Sequence, residues 1–268
     1  MEQKNRILAV TPGEYEELRR RWPAFPMGLA QLAYRISSGG RLLRDSRSPA
    51  TLRGGILVLC DMGFTAPTLN VPTLLRDLLA EISNRSYEGV AADFSPTLSQ
   101  PLAALLPELD RVLHEHGVPL WVNESAAAHV QHARLLVPAS ATAGSLETLL
   151  RTHCQRYGAQ RVTAELIPLR MDFTLPAANA SGSRLTREQL EALIEELHPQ
   201  PYFSAELCAK YFTYMSPSRQ AHFVLFDDGD TLTEKCRLAA RLGIEYVFAL
   251  YAEVEAMLDI IIREPVEA

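Results

Sequence analysis

Short apolar segments alternate with longer amphipathic segments along almost the whole of this 268-residue chain. The apolar segments are only a few residues long and are bounded by polar or turn-forming residues, which is typical of buried strands. The segments between them place apolar residues three and four positions apart, as amphipathic helices do. This alternation predicts parallel βα units. The eight predicted strands are residues 7–10, 29–36, 56–60, 90–94, 120–123, 135–137, 162–167 and 246–250.

Eight consecutive strands of this kind predict an α/β fold that closes into a single (β/α)8 TIM barrel. Such a barrel takes roughly 250 residues, and no change in composition divides this chain, so residues 1–268 are expected to form one domain. The second strand, which is followed by Gly39 and Gly40, has the weakest signal. Any imperfection of the barrel is expected around that strand.

Composition and charge exclude several classes of partner. The formal net charge is −6, and the basic residues are dispersed, so the chain lacks the basic stripe that binding of nucleic acid requires. No apolar run approaches the roughly 18 residues of a membrane span, and the first residues lack the apolar core of a signal peptide. We therefore expect neither a nucleic acid nor a membrane as partner, and a cytoplasmic location.

The cysteines give no sign of a metal or cofactor site. Cys60, Cys154, Cys208 and Cys236 are far apart in the sequence and lack the spacing of zinc ligands. Cys154 and Cys236 are predicted to lie on apolar helix faces, where a thiol acts as a small hydrophobic group. No metal and no cofactor is expected.

Local signals predict two helix starts and one long loop. Capping boxes are predicted at Thr186 with Gln189 and at Thr231 with Glu234. Residues 172–182 (DFTLPAANASG) are rich in small and turn-forming residues, so they are predicted to form a loop. An aromatic cluster is expected to be core beneath a long loop rather than the lining of a sugar groove; its members are Tyr202, Phe203, Tyr211, Phe212 and Tyr214.

Functional residues of a βα barrel lie at the carboxyl ends of its strands and in the loops that follow. Asp61, Asp93 and Glu124 are the candidates for catalysis, although none is assigned a catalytic role. Glu165 lies inside the seventh strand, so it either points into the barrel mouth or pairs with a base; of the two, a buried ion pair is expected. The predicted ligand-binding residues are Asp61, Asp93, Ser95, Asn123, Glu124, Ser140, Arg170, Tyr251 and Glu253.

Residues 87–95 (YEGVAADFS) resemble the D-x-x-D-x-D-x-E signature of the chitinase-like glycoside hydrolases of family 18. The four defined positions hold Glu88, Ala91, Asp93 and Ser95. Residues 161–173 and 210–251 also resemble the later strands of family 18 barrels of the spore-germination type, including their "VWFDD" segment. The matched pieces follow the family's order along the chain, so the resemblance implies the family's barrel fold.

The same resemblance implies that the catalytic apparatus is degenerate. Asp93 takes the place of the aspartate that supports the cationic intermediate, but Ser95 takes the place of the glutamic acid that protonates the leaving oxygen. A serine hydroxyl cannot act as that general acid near neutral pH. In the aligned strands, Ser140 and Leu250 stand where the family has a tyrosine and a tryptophan.

Three functions are compatible with these features. The first is a catalytically degenerate barrel that binds a carbohydrate, such as an N-acetylated glycan, or a protein partner. The second is an active glycoside hydrolase that uses relocated carboxylates from the set Asp61, Asp93, Glu124 and Glu253. The third is an interaction scaffold that has no ligand because side chains fill its mouth.

Overall fold

The computed structural model describes residues 2–47, 53–176 and 182–263. In chain order its strands are β1 Arg6–Val10, β2 Gly28–Ile36, β3 Leu42–Arg44, β4 Ile56–Cys60, β5 Gly89–Asp93, β6 Leu120–Asn123, β7 Arg134–Pro138, β8 Val162–Leu166, β9 Arg170–Thr174, β10 Ser183–Arg184, β11 Tyr202–Ser204, β12 Ala209–Met215, β13 Ala221–Phe226 and β14 Tyr246–Leu250. Its α-helices are α1 Pro12–Arg21, α2 Val71–Arg85, α3 Gln100–Glu115, α4 Leu146–Tyr157, α5 Arg187–Leu197, α6 Gly229–Arg241, α7 Tyr251–Val254 and α8 Leu258–Arg263.

Eight parallel strands form a closed barrel, so the predicted fold is confirmed. The strands follow one another in the order β1, β2, β4, β5, β6, β7, β8 and β14, and β14 pairs with β1 to complete the ring. All eight predicted strands coincide with these elements, and residues 120–123 match β6 at both ends. The run of apolar residues in each strand follows from burial on both faces, against the barrel interior and against the helices.

Side chains pack in two apolar layers. One fills the inside of the barrel; its members are Ile7, Ala9, Ala30, Ile56, Val58, Ala91, Trp121, Leu136 and Phe248. The other lies between the barrel and the surrounding helices and includes the leucines of α2 and α3. Side chains along a strand point alternately into and out of the barrel. A residue at a strand end that lies two positions after a member of the inner layer therefore faces the mouth.

The region of the second strand is irregular, as the sequence indicates. The pairing of β2 with β4 shifts register between Gln31 and Tyr34. In the described part of the connection between these strands, the antiparallel strand β3 takes the place of a helix. The connection between β6 and β7 is also unusual, because the short 3-10 helix Glu124–His129 stands between them.

A second sheet is inserted between the last two barrel strands. It has five strands in the order β10, β9, β13, β12 and β11, and all of its pairings are antiparallel. Helix α5 packs on one face through Leu190, against Phe212, Val224 and Phe226. The sequence interpretation missed this sheet. Residues 172–174 belong to β9 rather than to the predicted loop, of which residues 177–181 lie outside the described part of the chain.

Capping explains two of the helix starts. Thr186 and Gln189 form the predicted capping box at the start of α5. Helix α6 begins earlier than predicted, because Asp228 is its N-cap and forms the capping box with Thr231. The predicted box of Thr231 with Glu234 is therefore wrong; the acidic residue is a better N-cap and lies next to the positive end of the helix dipole.

Candidate functional site

A cavity of about 650 Å³ opens at the carboxyl ends of the barrel strands. Its walls combine carboxylate and amide side chains with apolar ones. The cavity is lined by Cys60, Asp61, Met62, Asp93, Phe94, Ser95, Pro96, Asn123, Glu124, Ser125, Leu136, Pro138 and Glu165. The mouth is thus an open depression with several oxygen atoms in its wall.

Five of the predicted ligand-binding residues meet in this cavity. They are Asp61, Asp93, Ser95, Asn123 and Glu124. The strand register explains the clustering, since Cys60 of β4 lies beside Asp93 of β5 and adjacent strands are about 4.8 Å apart. Whether these residues bind a ligand stays a prediction.

The other four predicted residues lie elsewhere. Arg170 pairs with Glu253, which also lies 3.4 Å from Arg184, and these residues belong to a separate depression. Tyr251 is only 2% exposed and packs in the layer between barrel and helices. Ser140 is half-buried and does not line the cavity. The sequence places these four residues at the mouth because each follows a strand end. That position does not determine the direction in which a side chain points.

Asp93 is the last residue of β5 and points into the mouth. Ala91, two residues earlier, belongs to the inner layer, so Asp93 faces the same side of the sheet. Solvent reaches the side chain, but the surrounding cavity wall removes much of its water. This loss of water raises the pKa of Asp93; the Asn123 amide opposes the rise and Asp61 adds to it.

Glu165 is the functional candidate that the ligand-binding prediction omitted. It lies beside Pro138 of β7 and Phe248 of β14 and lines the cavity half-buried. The expected buried ion pair is not present, because no cation in the described part of the chain pairs with its carboxylate. Burial, and secondly the charge of Asp93, raise the pKa of Glu165. A raised pKa is the direction in which enzymes shift the carboxyl groups that they use as general acids.

Ser95 is exposed, and its backbone N–H donates a hydrogen bond to Oδ2 of Asp61 over 3.1 Å. The bond joins the loop after β4 to the loop after β5. In the same part of the wall, the Asn123 side-chain amide donates to the carbonyl oxygen of Phe94 over 3.1 Å. These contacts fix the backbone around Asp93.

Glu124 lies at the far side of the cavity, at the start of the 3-10 helix after β6. Its carboxylate accepts a hydrogen bond of 2.7 Å from the Tyr157 hydroxyl, and Nδ1 of His153 lies 3.9 Å from it. The hydrogen bond raises the pKa of Tyr157. Helix α4 therefore orients Glu124, and part of its hydrogen-bonding capacity is already used.

Cys60 lines the mouth, where its surroundings disfavour the thiolate form of its side chain. Burial, followed by smaller effects of Asp93 and Asp61, keeps its pKa above the usual value. A thiol reacts as the thiolate, so this environment makes Cys60 less reactive. Within residues 2–47, 53–176 and 182–263, no three His, Cys, Asp or Glu side chains form a group that could hold a metal ion. Over the same residues, no helix is both long and apolar enough to cross a membrane.

The aromatic cluster divides between the two faces of the inserted sheet. Phe212 and Tyr214 lie on the face that packs against α5. Tyr211 stacks on Phe223 with the ring centroids 5.2 Å apart, and Tyr202 lies 5.7 Å from Tyr211 on that same opposite face. The interpretation of the cluster as core is correct for Phe212, which is 2% exposed, and partly for Tyr211 and Tyr214, which pack against apolar clusters. It is wrong for Tyr202 and Phe203, which are 62% and 51% exposed.

The closed ring of eight parallel strands is the (β/α)8 barrel fold that solved chitinase structures share. A chitinase from Chromobacterium violaceum has the same fold with a TM-score of 0.67 and 17% sequence identity, over 97% of this chain and 100% of that chain. The class V chitinase from Nicotiana tobaccum gives a TM-score of 0.64 at 12% identity, over 96% and 98% of the two chains. The spore cortex-lytic enzyme SleL from Bacillus megaterium gives 0.61 at 11% identity, over 94% and 71%. No family model matches the sequence, and no curated protein does so either.

Proposed function

We propose that the mouth of this glycoside hydrolase-like barrel binds a carbohydrate and does not hydrolyse it by the family 18 mechanism. The observation that carries the proposal is the open cavity in which Asp61, Asp93, Asn123 and Glu124 meet. Carboxylate and amide groups accept and donate the hydrogen bonds that sugar hydroxyls offer. An open mouth of this size argues against an interaction scaffold whose mouth is filled by side chains.

The first ligand to test is an oligomer of N-acetylglucosamine. The class V chitinase of Nicotiana tobaccum, which shares the fold, has been crystallised in complex with NAG4. In the present chain the cavity wall also contains apolar residues, such as Met62 and Leu136, beside the polar groups. These residues offer surfaces against which sugar rings can pack. Ser95 provides no carboxylic acid at the position aligned with the family's proton donor, which supports binding without turnover.

Calorimetric titration of the N-acetylglucosamine tetramer into the wild type and Asp93→Ala tests this function. A hydrogen bond to a charged group contributes about 1.5–3 kcal/mol, so Asp93→Ala is expected to weaken binding roughly tenfold to a hundredfold. Asp259→Ala is the matched control, because Asp259 pairs with Arg21 on α1, away from the cavity lining. If the wild type does not bind at millimolar tetramer, or if Asp93→Ala binds as well, the glycan site is wrong and a protein-binding scaffold becomes the better account.

A second candidate function is hydrolysis by relocated carboxylates. It is favoured by Glu165, whose raised pKa in the same cavity as Asp93 suits a general acid. Among the carboxylates that the sequence suggested for catalysis, Glu253 forms ion pairs with Arg170 and Arg184 and lies outside this cavity. Release of a chromophore from aryl glycosides distinguishes the two functions. Turnover that is lost in both Glu165→Gln and Asp93→Asn, and kept in the control Glu88→Gln at the other end of β5, would establish hydrolysis.

A further inference from the structure

A second cavity, of about 440 Å³, adjoins the mouth. It is formed largely by β2 and by the segment after β3, and it shares Cys60 and Met62 with the first cavity. Unlike the acidic mouth, its lining contains three arginines, Arg35, Arg44 and Arg47, beside a single carboxylate, Asp45. The two cavities together have an acidic end and a basic end.

The strand register sets the distance between those ends. Arg35 of β2 is the lateral neighbour of Cys60 in β4, and Cys60 is the neighbour of Asp93 in β5. With adjacent strands about 4.8 Å apart, the backbone of Arg35 lies two strand spacings from that of Asp93. A single oligosaccharide held in the mouth can therefore reach the arginine side.

Of the three arginines, Arg35 is the one available to a ligand that lies in the mouth. Arg47 is held by Asp45, with 2.7 Å between Nη2 and Oδ2. Hydrogen bonds from Arg47, with a smaller contribution from Arg35, lower the pKa of Asp45 to about 2, so this carboxylate stays ionised. Arg35 is exposed and forms no salt bridge within the described part of the chain; it stands between Tyr34 and Ile36 of the outer layer, so it faces the mouth. Arg44 is paired with Tyr34 in the β2–β3 register, so it faces the other side, where it lines a separate depression.

We infer that the ligand of this barrel is an acidic glycan, whose carboxylate is bound by Arg35 while its neutral rings occupy the mouth. This inference rests on the proposed carbohydrate binding. A guanidinium offers paired N–H donors that match the two oxygens of a carboxylate. The carboxylates at the mouth repel an anionic group, so the charge distribution also fixes the direction in which such a ligand lies.

Two tetrasaccharides test the inference by calorimetry. One is the neutral N-acetylglucosamine tetramer, and the other alternates N-acetylglucosamine with glucuronate. The wild type is expected to bind the acidic one roughly tenfold to a hundredfold more tightly, as a charged hydrogen-bonded contact allows. The preference should shrink between about 0.1 M and about 1 M salt, where the Debye length falls from about 10 Å to about 3 Å.

The variants separate the arginine contact from general effects. Arg35→Gln should reduce the preference and leave the affinity for the neutral tetramer unchanged, whereas Arg44→Gln, on the other face of the β2–β3 ribbon, should reduce the preference less. Arg35→Lys keeps the charge but loses the paired donors, so it should retain only part of the preference. Arg19→Gln on the exposed face of α1 removes an equal charge and should change neither affinity.

The outcomes distinguish this inference from the function on which it rests. If the wild type binds the two tetrasaccharides equally, or prefers the neutral one, the acidic-glycan inference is overturned while carbohydrate binding stands. If the preference persists in a folded Arg35→Gln protein, the carboxylate binds elsewhere and the inference is again overturned. Failure of both tetrasaccharides to bind removes the proposed function, and the inference with it.

Discussion

The backbone amide of Ser95 donates to Oδ2 of Asp61 over 3.1 Å, so the residue aligned with the family's proton donor is tied to the neighbouring loop. The bond involves only the main chain of Ser95, whose side chain is exposed. A hydroxyl loses its proton only far above neutral pH, so it cannot replace a carboxylic acid there. The first prediction follows from this arrangement.

Ser95→Ala is expected to leave hydrolysis of N-acetylglucosamine oligomer glycosides unchanged at the background rate of the wild type. Chromophore release measures this directly. Ser95→Glu is the informative companion, because it restores a carboxyl group while Ser140 still stands at the position aligned with the family's tyrosine. We expect no robust turnover from that variant either. Robust wild-type turnover that Asp93→Asn abolishes would contradict the proposal that the barrel does not hydrolyse its ligand by the family 18 mechanism.

Glu165 is expected to make stability depend on pH. Burial raises its pKa in the folded state, so the folded protein holds the proton more tightly than the unfolded chain, whose glutamates titrate near 4.3. The free energy of unfolding should therefore fall as the pH rises from that value through the raised folded pKa. Glu165→Gln has no carboxyl group to ionise, so it avoids this fall in the free energy of unfolding. It should therefore be more stable than the wild type at neutral pH.

Urea denaturation at about pH 4 and about pH 7 checks the direction of this effect. The advantage of Glu165→Gln should disappear at the lower pH, where the carboxyl is protonated in both states. Glu195→Gln, on the exposed surface of α5, serves as the control and should stay within about 0.5 kcal/mol of the wild type. A Glu165→Gln protein that is less stable than the wild type at neutral pH would show that the carboxylate is compensated in a way the structure does not display.

The barrel could be predicted from the sequence because each of its strands is a short apolar run with turn residues on both sides. The prediction for β5 differs from the structure by a single residue at each end. The inserted sheet was not recognised, although the alternation of Tyr211 and Phe212 between its two faces is a strand signal. Its strands are partly exposed and their partners are distant in sequence, so local apolar runs do not mark them.

The candidate site was predictable only in part, for a related reason. The strand ends brought Asp61, Asp93 and Glu124 together because parallel strands share one carboxyl edge. Which ion pairs form depends on the directions of the side chains, however. Nothing in the sequence indicates that Glu253 forms an ion pair with Arg170. For the same reason the sequence did not reveal that, among the described residues, no cation pairs with Glu165.

The buried pair Lys235–Asp227 is expected to be essential for stability. Nζ of Lys235 lies 2.6 Å from Oδ2 of Asp227, and both side chains are fully buried. Removing one partner of such a pair leaves a buried charge without compensation, so Lys235→Met should lower the free energy of unfolding by about 3–5 kcal/mol. Lys210→Met is the control, since Lys210 pairs with Asp228 and Asp230 nearer the surface, where an ion pair contributes about 1 kcal/mol or less. Equal losses in the two variants would contradict this assignment.

Gly89 is expected to be required by the packing of Trp121 inside the barrel. A Cβ at Gly89 would lie 2.6 Å from Cζ3 of Trp121 and 3.2 Å from the carbonyl oxygen of Pro119. The indole cannot easily move away, because its Nε1 donates to Oγ1 of Thr163 over 3.1 Å and its ring meets Tyr246 edge to face. Gly89→Ala should therefore cost about 1–3 kcal/mol, as overpacked cores do.

Urea denaturation of Gly89→Ala, of Trp121→Leu and of the double variant tests this explanation. The double variant should lose less stability than the sum of the single losses, because the smaller side chain leaves room for the added methyl group. Gly13→Ala is the control; a Cβ there has no neighbour within 4 Å, and on helix α1 the change should stabilise by up to about 1 kcal/mol. Since Gly89 begins β5 and Asp93 ends it, the folded Gly89→Ala protein should retain the ligand affinity of the wild type. Additive losses would mean that Trp121 is not what excludes a side chain at position 89, and the close approach of the Pro119 backbone would then be the remaining cause.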